Sequence, residues 1–156
     1  MRKIWKRSPN WLGLGLIFFG ITFSTDAFAN QYRKQAGMRT VIEQARDAWV
    51  ARDANALAQL FTPDGELIVP GQRWQGRAKI REEVTHFAQQ YSDVKIDIRR
   101  IIIEDNQAAV EWHYEDVEKA TGLRNKADDA IIVDFKNGRI SRWREYFDTK
   151  TPASKP

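Results

Sequence analysis

The apolar residues follow a helical rhythm in the first part of the chain. They recur every three to four positions over three segments, about 34–52, 54–61 and 77–90, and each is predicted to be an amphipathic helix. Asp53 stands where the second helix needs an N-cap. The polar residues 30–37 are predicted to form a loose lead-in to the first helix.

Between the second and third helices the pattern is that of a turn and short strands. Pro63-Asp64-Gly65 is typical of a turn. A short strand is predicted over 66–70, and a second brief strand is predicted around Trp74. Gly76 precedes the third helix.

After Tyr91 the rhythm changes to strict alternation, which predicts strands. Asn137-Gly138, between the last two segments, is a strong hairpin signal. Helices followed by a long meander indicate an α+β fold, with the helices packed on one face of a curved antiparallel sheet. The four alternating segments are 94–104, 107–118, 124–135 and 139–148.

The first 29 residues have the pattern of a secretory signal peptide. A positive stretch at 2–7 precedes an apolar run of 13 residues at 11–23, and the small-x-small site at 27–29 places the mature start at Asn30. At about 1.5 Å per residue the run spans roughly 20 Å, short of a ~30 Å hydrocarbon core, which favours cleavage over an uncleaved anchor. The prediction is an exported protein, periplasmic or secreted, without stable membrane insertion after cleavage.

Composition excludes several kinds of site. The chain has no cysteine and two histidines, His86 and His113, so neither a thiolate site nor a multi-histidine metal site is expected. Residues 1–29 contain four basic residues and one acidic residue, so the remainder, with 21 basic and 20 acidic residues, offers no basic face for nucleic acid. We expect one domain over 30–148 and a polar tail over 149–156, without metal or cofactor.

Three stretches carry a resemblance to a known family. They are 51–65 (ARDANALAQLFTPDG), Gly76-Arg77, and 138–148 (GRISRWREYFD). Together they resemble the SnoaL-like branch of the nuclear transport factor 2-like superfamily over about 34–148. The resemblance implies a cone of three helices wrapped by a curved sheet around a pocket. Members include polyketide cyclases, ketosteroid isomerases, limonene-epoxide hydrolases, scytalone dehydratases and non-catalytic binding or assembly modules.

The last predicted strand places one acid among aromatic residues. Alternation puts Trp143, Glu145 and Phe147 on one face, a pattern that suits a pocket wall. In the epoxide hydrolases that this stretch resembles, an aspartate at the position of Glu145 lies in the active site. The alternative is a structural ion pair from Glu145 to Arg124 or Lys126.

Asp129 is the second candidate acid, because it continues the apolar face of the preceding strand. It either is desolvated inside the fold or sits at the rim in water. If it is buried, Asp129 and Glu145 could serve as acid and base, since two neighbouring carboxyls push their proton affinities apart. The apolar residues in phase with Asp129 are Ile131, Val133 and Phe135.

On the second meander strand, Trp112 and Tyr114 share a face. Both could form core or pocket wall, and Tyr114 could donate its hydroxyl to a substrate oxygen. His113 points the other way, toward an outer or subunit-contact face. The resembling epoxide hydrolases have an arginine and an aspartate where Trp112 and Tyr114 stand, so their acid–arginine–acid relay is missing and epoxide hydrolysis is disfavoured.

Further wall candidates are Trp49, Trp74 and His86, each of which could instead be a packing residue. Two functions stay open. One is a cofactor-free isomerase, cyclase, hydratase or dehydratase for a small apolar or carbonyl-containing ligand. The other is a non-catalytic ligand-binding or assembly module. The resemblance also implies a homodimer through the sheet, with an outward row formed by Arg142, Arg144 and Tyr146.

Overall fold

The computed structural model describes residues 25–147 as three helices and one six-stranded sheet. This is the α+β fold class that the sequence predicts. The helices are α1 (Thr25–Ala51), α2 (Ala54–Leu60) and α3 (Arg77–Gln90). The strands are β1 (Phe61–Val69), β2 (Gln72–Gln75), β3 (Tyr91–Glu104), β4 (Gln107–Glu118), β5 (Arg124–Lys136) and β6 (Arg139–Tyr146).

Helix α1 is longer than predicted, and the expected loose lead-in over 30–37 is wrong. Those residues are helical because the segment contains strong helix formers and no proline, even though it lacks an apolar stripe. Burial of the helix begins at Met38 and continues with Ile42 and Ala45. The predicted cleavage site therefore lies in the exposed first turns of α1, and the rest of the predicted signal peptide, like the tail 149–156, falls outside the described residues.

Helices α2 and α3 begin directly after Asp53 and Gly76, as the sequence predicts. The Asp53 side chain accepts hydrogen bonds from the backbone N–H groups of Asn55 and Ala56 at 3.0 and 2.9 Å. Gly76 precedes α3 with a φ of 80°, which a residue without Cβ adopts at no steric cost.

The predicted turn at 63–65 lies inside β1 as an irregularity. The pairing of β1 with β6 shifts register between Phe61 and Glu66, so the turn residues bulge out of an otherwise continuous strand. Gly65 fits there because a Cβ would lie 3.0 Å from the Ile140 carbonyl oxygen.

The sheet is mixed rather than wholly antiparallel. Its strand order is β2-β1-β6-β5-β4-β3, and every neighbouring pair is antiparallel except β1 with β6. Local hairpin signals could not reveal the parallel pair, because its two strands are separated by most of the domain. The hairpin at Asn137-Gly138 is confirmed, with φ values of 52° and 73° at the two residues.

The two faces of the sheet have different environments. The face that packs against the helices, called the inner face here, carries the largest buried side chains, Trp112 and Trp143 among them. The opposite, outer face carries ion pairs and partly exposed apolar residues. None of the helices within 25–147 has both the length and the apolar character needed to cross a membrane.

Candidate functional site

Strands β4, β5 and β6 bring the predicted acids together on the inner face. Asp129 lies directly opposite Trp112, and Glu145 lies opposite Ile131, two positions further along β5. Residues opposite each other in antiparallel strands project to the same face. Asp129, Glu145 and Trp112 therefore share one surface, as the alternation predicts.

Each acid accepts a hydrogen bond from a tryptophan. The indole N–H of Trp112 donates to Asp129 Oδ2 at 2.7 Å, and that of Trp143 donates to Glu145 Oε1 at 2.7 Å. The two indole rings also contact each other, with centroids 5.4 Å apart. The two indole N–H groups thus hold both carboxyls in position, and the indole rings fill the core.

Burial changes the proton affinity of both acids. Loss of hydration raises the pKa of Glu145 to about 8, with a smaller raising effect from the charge of Asp129, while the indole N–H of Trp143 opposes the shift. Burial likewise raises the pKa of Asp129, against the lowering effect of the Trp112 hydrogen bond. Asp129 is 5% exposed, and its Oδ1 has no hydrogen-bond partner among the described residues.

Tyr114 and Asp116 extend the row of inner-face polar side chains along β4. The Tyr114 hydroxyl donates to Asp116 Oδ2 at 2.6 Å, and the Asn125 amide donates to Asp116 Oδ1 at 2.8 Å. Burial, reinforced by Asp116, raises the pKa of Tyr114 far above its ordinary value, so the phenol stays protonated. Its single proton is committed to Asp116, so Tyr114 presents lone pairs and not the predicted O–H donor.

Asp116 is the site residue that the sequence reading missed. It is 4% exposed, and it follows Tyr114 by two positions on the same face of β4. Extending the alternation by one more step would have found it.

An open groove lies at the end of β6. It has a volume of about 480 Å³ and is lined by the β1–β2 turn and by residues 144–147. Glu145 and Phe147, both predicted site residues, line it. Glu145 thus belongs both to the groove and to the inner-face row, whereas Asp129 and Asp116 do not line the groove.

The other predicted wall residues lie apart from the two acids. Trp49 is buried on α1 in edge-to-face contact with Phe87, at a centroid distance of 5.3 Å. Trp74 is half-buried on the edge strand β2, where its indole donates to Gln72. His86 is exposed on α3 beside Glu83, so the structure does not bring it to the carboxyl row.

The ion pair considered for Glu145 is not formed. Arg124 instead pairs with Asp93 and Glu115, and Lys126 pairs with Glu115 at 2.8 Å. These partners lie on the outer face, because Lys126 and Glu115 alternate with the inner-face residues of their strands.

His113 also lies on the outer face, as predicted. Its Nδ1 is 2.7 Å from Asp128 Oδ1, and its Nε2 is 3.4 Å from Glu115 Oε1.

One group of side chains in the described region could geometrically hold a metal ion. It consists of Glu82, Glu83 and His86 on the surface of α3. Lys79 pairs with both glutamates, at 3.2 and 2.6 Å, so part of their charge is already balanced. The inner-face carboxyls do not form such a group.

The fold and the order of these residues match a known family model. Residues 42–143 match the model described as the SnoaL-like domain. The chain belongs to the SnoaL-like domain family. Comparison with curated protein sequences finds no significant match.

Solved structures similar to this SnoaL-like domain confirm the fold. A hypothetical protein with a ketosteroid isomerase-like fold from Catenulispora acidiphila, in complex with trimethylamine, is 19% identical with a TM-score of 0.66, covering 70% of this chain and 85% of that one. An epoxide hydrolase from M. tuberculosis is 18% identical with a TM-score of 0.65, covering 72% and 84%. At these identities the likeness establishes the fold alone.

Proposed function

We propose that this SnoaL-like protein is a cofactor-free acid–base enzyme for a small apolar or carbonyl-containing ligand, with Glu145 as the group that exchanges a proton. The observation that carries this proposal is the position of Glu145, which lines the groove, lies on the same sheet face as the buried Asp129, and has a pKa raised to about 8. A group whose pKa lies near the ambient pH can both give and take a proton. Relatives of the fold include isomerases and hydrolases.

The two acids would have different roles, with Glu145 as the proton donor and Asp129 as a hydrogen-bond acceptor. Near pH 7 the Glu145 carboxyl is mostly protonated and can donate to a ligand oxygen that reaches it through the groove. The unpartnered Oδ1 of Asp129 can accept a hydrogen bond from the ligand. Isomerisation, cyclisation, hydration and dehydration need only such proton movements, while Trp112, Trp143 and Phe147 shape the apolar surroundings.

Replacement of Glu145 by glutamine tests the catalytic role. A panel of enones, cyclic ketones and hydroxy ketones would be screened for turnover by the wild-type chain. For any compound turned over, Glu145→Gln should lower kcat by about 10²–10⁴-fold, the usual contribution of general acid–base catalysis. Glu111→Gln, on the exposed outer face, is the matched control and should keep full activity. Unchanged turnover by Glu145→Gln would remove Glu145 from the mechanism.

A binding module is the second candidate, and the packing of the interior favours it. Trp112 and Trp143 are fully buried, so they occupy space that a large substrate would need. In this alternative the site binds a ligand without catalysing a reaction on it. Saturable binding of a panel compound, with no turnover at any pH from 5 to 9, would select the binding module.

We infer that the chain forms a homodimer through the outer face of the sheet. The strand register aligns Ile102, Ala109, Ile132, Arg144 and Ile68 in one row across five strands. Ile102 is 56% and Ile132 38% exposed, and Tyr146, on the same face, is 48% exposed. Apolar residues left in water on a sheet face gain stability when a second copy covers them.

Sedimentation velocity at micromolar concentration tests the dimer. The wild-type chain should sediment as a dimer and Ile132→Asp as a monomer, because the new charge would be buried without a partner. Gln89→Asp, on the exposed surface of α3, is the control and should stay dimeric. A monomeric wild-type chain would contradict the proposal.

We also propose that the protein is exported and cleaved after Ala29. The signal pattern supports this, and residues 26–29, which cleavage would remove from α1, are exposed. Expression of the full chain in a Gram-negative host, followed by fractionation and intact-mass measurement, should find a periplasmic product that begins at Asn30. An uncleaved product in the membrane fraction would instead indicate an anchor.

A further inference from the structure

The groove at the end of β6 carries one positive charge that no described acid balances. Its described lining includes two arginines, Arg73 and Arg144, and one acid, Glu145. Arg73 pairs with Glu66, so its charge is already shared. Arg144 forms no ion pair among residues 25–147, since none of their carboxylate oxygens lies within 4.0 Å of its guanidinium nitrogens. An arginine keeps its charge in a protein, so this charge can bind a ligand.

The neighbouring arginine of the same strand differs from Arg144 in this respect. Arg142, two residues earlier on the same face of β6, pairs with Asp134 at 3.6 Å. Arg144 instead lies over the ring of Tyr146, with its Cζ 5.0 Å from the ring centroid. Stacking on an aromatic face holds a guanidinium in position and leaves the N–H groups at its edge able to donate. Arg144 is thus a positioned hydrogen-bond donor at the groove.

Glu145 does not cancel this positive charge near neutral pH. Burial raises its pKa to about 8, so the carboxyl is mostly protonated at pH 7. A protonated carboxyl can donate a hydrogen bond and does not repel an anion. Successive residues of a strand project to opposite faces, and the groove is lined from both faces of β6 because it lies where that strand ends. A ligand in the groove can therefore contact Arg144 with one end and Glu145 with the other.

Much of the remaining lining is apolar. Phe147 follows β6, and the end of β1 with the turn after it adds Ile68, Val69 and Pro70. The groove volume of about 480 Å³ lies within the range of small-molecule sites, roughly 300–1,000 Å³. Such a lining suits the apolar body of a small molecule, and a single unpaired guanidinium suits one negatively charged group on it.

We propose that the substrate of this groove is a carbonyl compound that also carries a carboxylate, and that Arg144 binds the carboxylate. The planar guanidinium matches a carboxylate through two parallel N–H···O bonds. The inference rests on the acid–base function proposed above, and it adds the class of substrate and a residue that binds it. Arg144 is a binding residue here, and Glu145 remains the group that exchanges the proton.

Phenylacetate and phenylacetamide test the inference, because the amide has nearly the same shape and no charge. Binding to the ¹⁵N-labelled protein is followed through the backbone amide signals of Gly71 and Gln72 in the groove, with Gly122, between β4 and β5, as the reference. Ile68 and Arg144 also belong to the proposed dimer face, so both probes are compared in the same oligomeric state. Phenylacetate should bind at least about tenfold more tightly than the amide. Equal binding of the two probes, or no binding of phenylacetate at tens of millimolar, would overturn the inference.

A matched pair of arginine variants locates the charge that binds. Arg144→Gln should weaken phenylacetate binding about tenfold and leave phenylacetamide unaffected, since it removes the charge from the groove. Arg142→Gln, on the same strand and face but outside the groove, should bind both probes as the wild type does. Unchanged phenylacetate binding by Arg144→Gln would contradict the role of Arg144. Should that variant fail to fold, the comparison of the two probes on the wild-type chain still decides.

Two further comparisons separate this inference from its neighbours. Inorganic phosphate should bind more weakly than phenylacetate because it has no apolar body, and tighter binding of phosphate would overturn the carboxylate class. For a carboxylate that is turned over, Arg144→Gln should raise KM, whereas Glu145→Gln should lower kcat. Failure of the carboxylate inference leaves the acid–base proposal standing, because that proposal depends on turnover by Glu145→Gln and not on the charge of the ligand.

Discussion

Replacement of Glu145 by glutamine should stabilise the folded domain at alkaline pH. Burial raises the pKa of Glu145 from 4.5 to about 8, so the folded state holds a proton that the unfolded state releases. The contribution of Glu145 to wild-type stability therefore falls as the pH rises from about 4.5 to about 8 and is level above that window. Glutamine keeps an oxygen that can accept from Trp143 and carries no charge. At pH 9 the variant should be more stable by on the order of 3 kcal/mol.

Urea unfolding at pH 5 and pH 9 measures this effect. The difference between variant and wild type isolates Glu145 because all other titrating groups are common to both proteins. The same substitution at Glu111, exposed on the outer face, should change stability by less than about 0.5 kcal/mol at either pH. A difference between Glu145→Gln and wild type that does not grow with pH would show that Glu145 is ionised normally in the folded protein. The raised pKa would then be lost as support for the acid–base proposal.

Replacement of Trp143 by alanine should cost about 3–5 kcal/mol of folding free energy, the usual loss when a large buried ring is removed. Trp143 is fully buried, lies between Leu67 and Val133 across the sheet, and contacts Trp112. Thermal and urea unfolding would measure the loss. Trp74→Ala is the control, since this half-buried ring on an edge strand should cost less than about 2 kcal/mol.

A phenylalanine variant separates the packing role of Trp143 from its hydrogen bond. Trp143→Phe keeps most of the buried ring but cannot donate to Glu145. The indole N–H lowers the pKa of Glu145, so its loss should raise that pKa further above 8. Carboxyl ¹³C NMR titration of the labelled protein would follow the change. A pKa of Glu145 that stays where it is in the wild type would show that the tryptophan serves packing alone.

The candidate site could be predicted wherever strand alternation was sufficient evidence. Before any tertiary information, period-two alternation put Glu145 and Asp129 in phase with apolar residues of their own strands and put Trp112 and Tyr114 on one face of β4. Register mattered too, because a slip of one residue would have turned every one of them outward. The same alternation, extended from Tyr114 by two residues along β4, would have placed Asp116 on that face as well.

The positions of the other predicted wall residues relative to the acids could not be derived from the sequence, because helical spacing defines one face of a helix and not what that face contacts. His86 lies on α3 among residues with helical spacing, and the spacing alone did not say that its position is exposed. Trp49 was correctly read as apolar and buried, but its contact is Phe87 and not the acids.

The sequence by itself determined the elements, their order and the faces of the strands, since these depend on local periodicity, caps and turns. Tertiary structure alone decided the parallel pairing of β1 with β6 and the choice of Glu115, not Glu145, as the partner of Lys126. It also decided the direction of the Tyr114 proton and the unpaired oxygen of Asp129. These depend on which groups meet across long separations in the chain and on how much water each one loses, and neither is encoded in the spacing of residues along one strand.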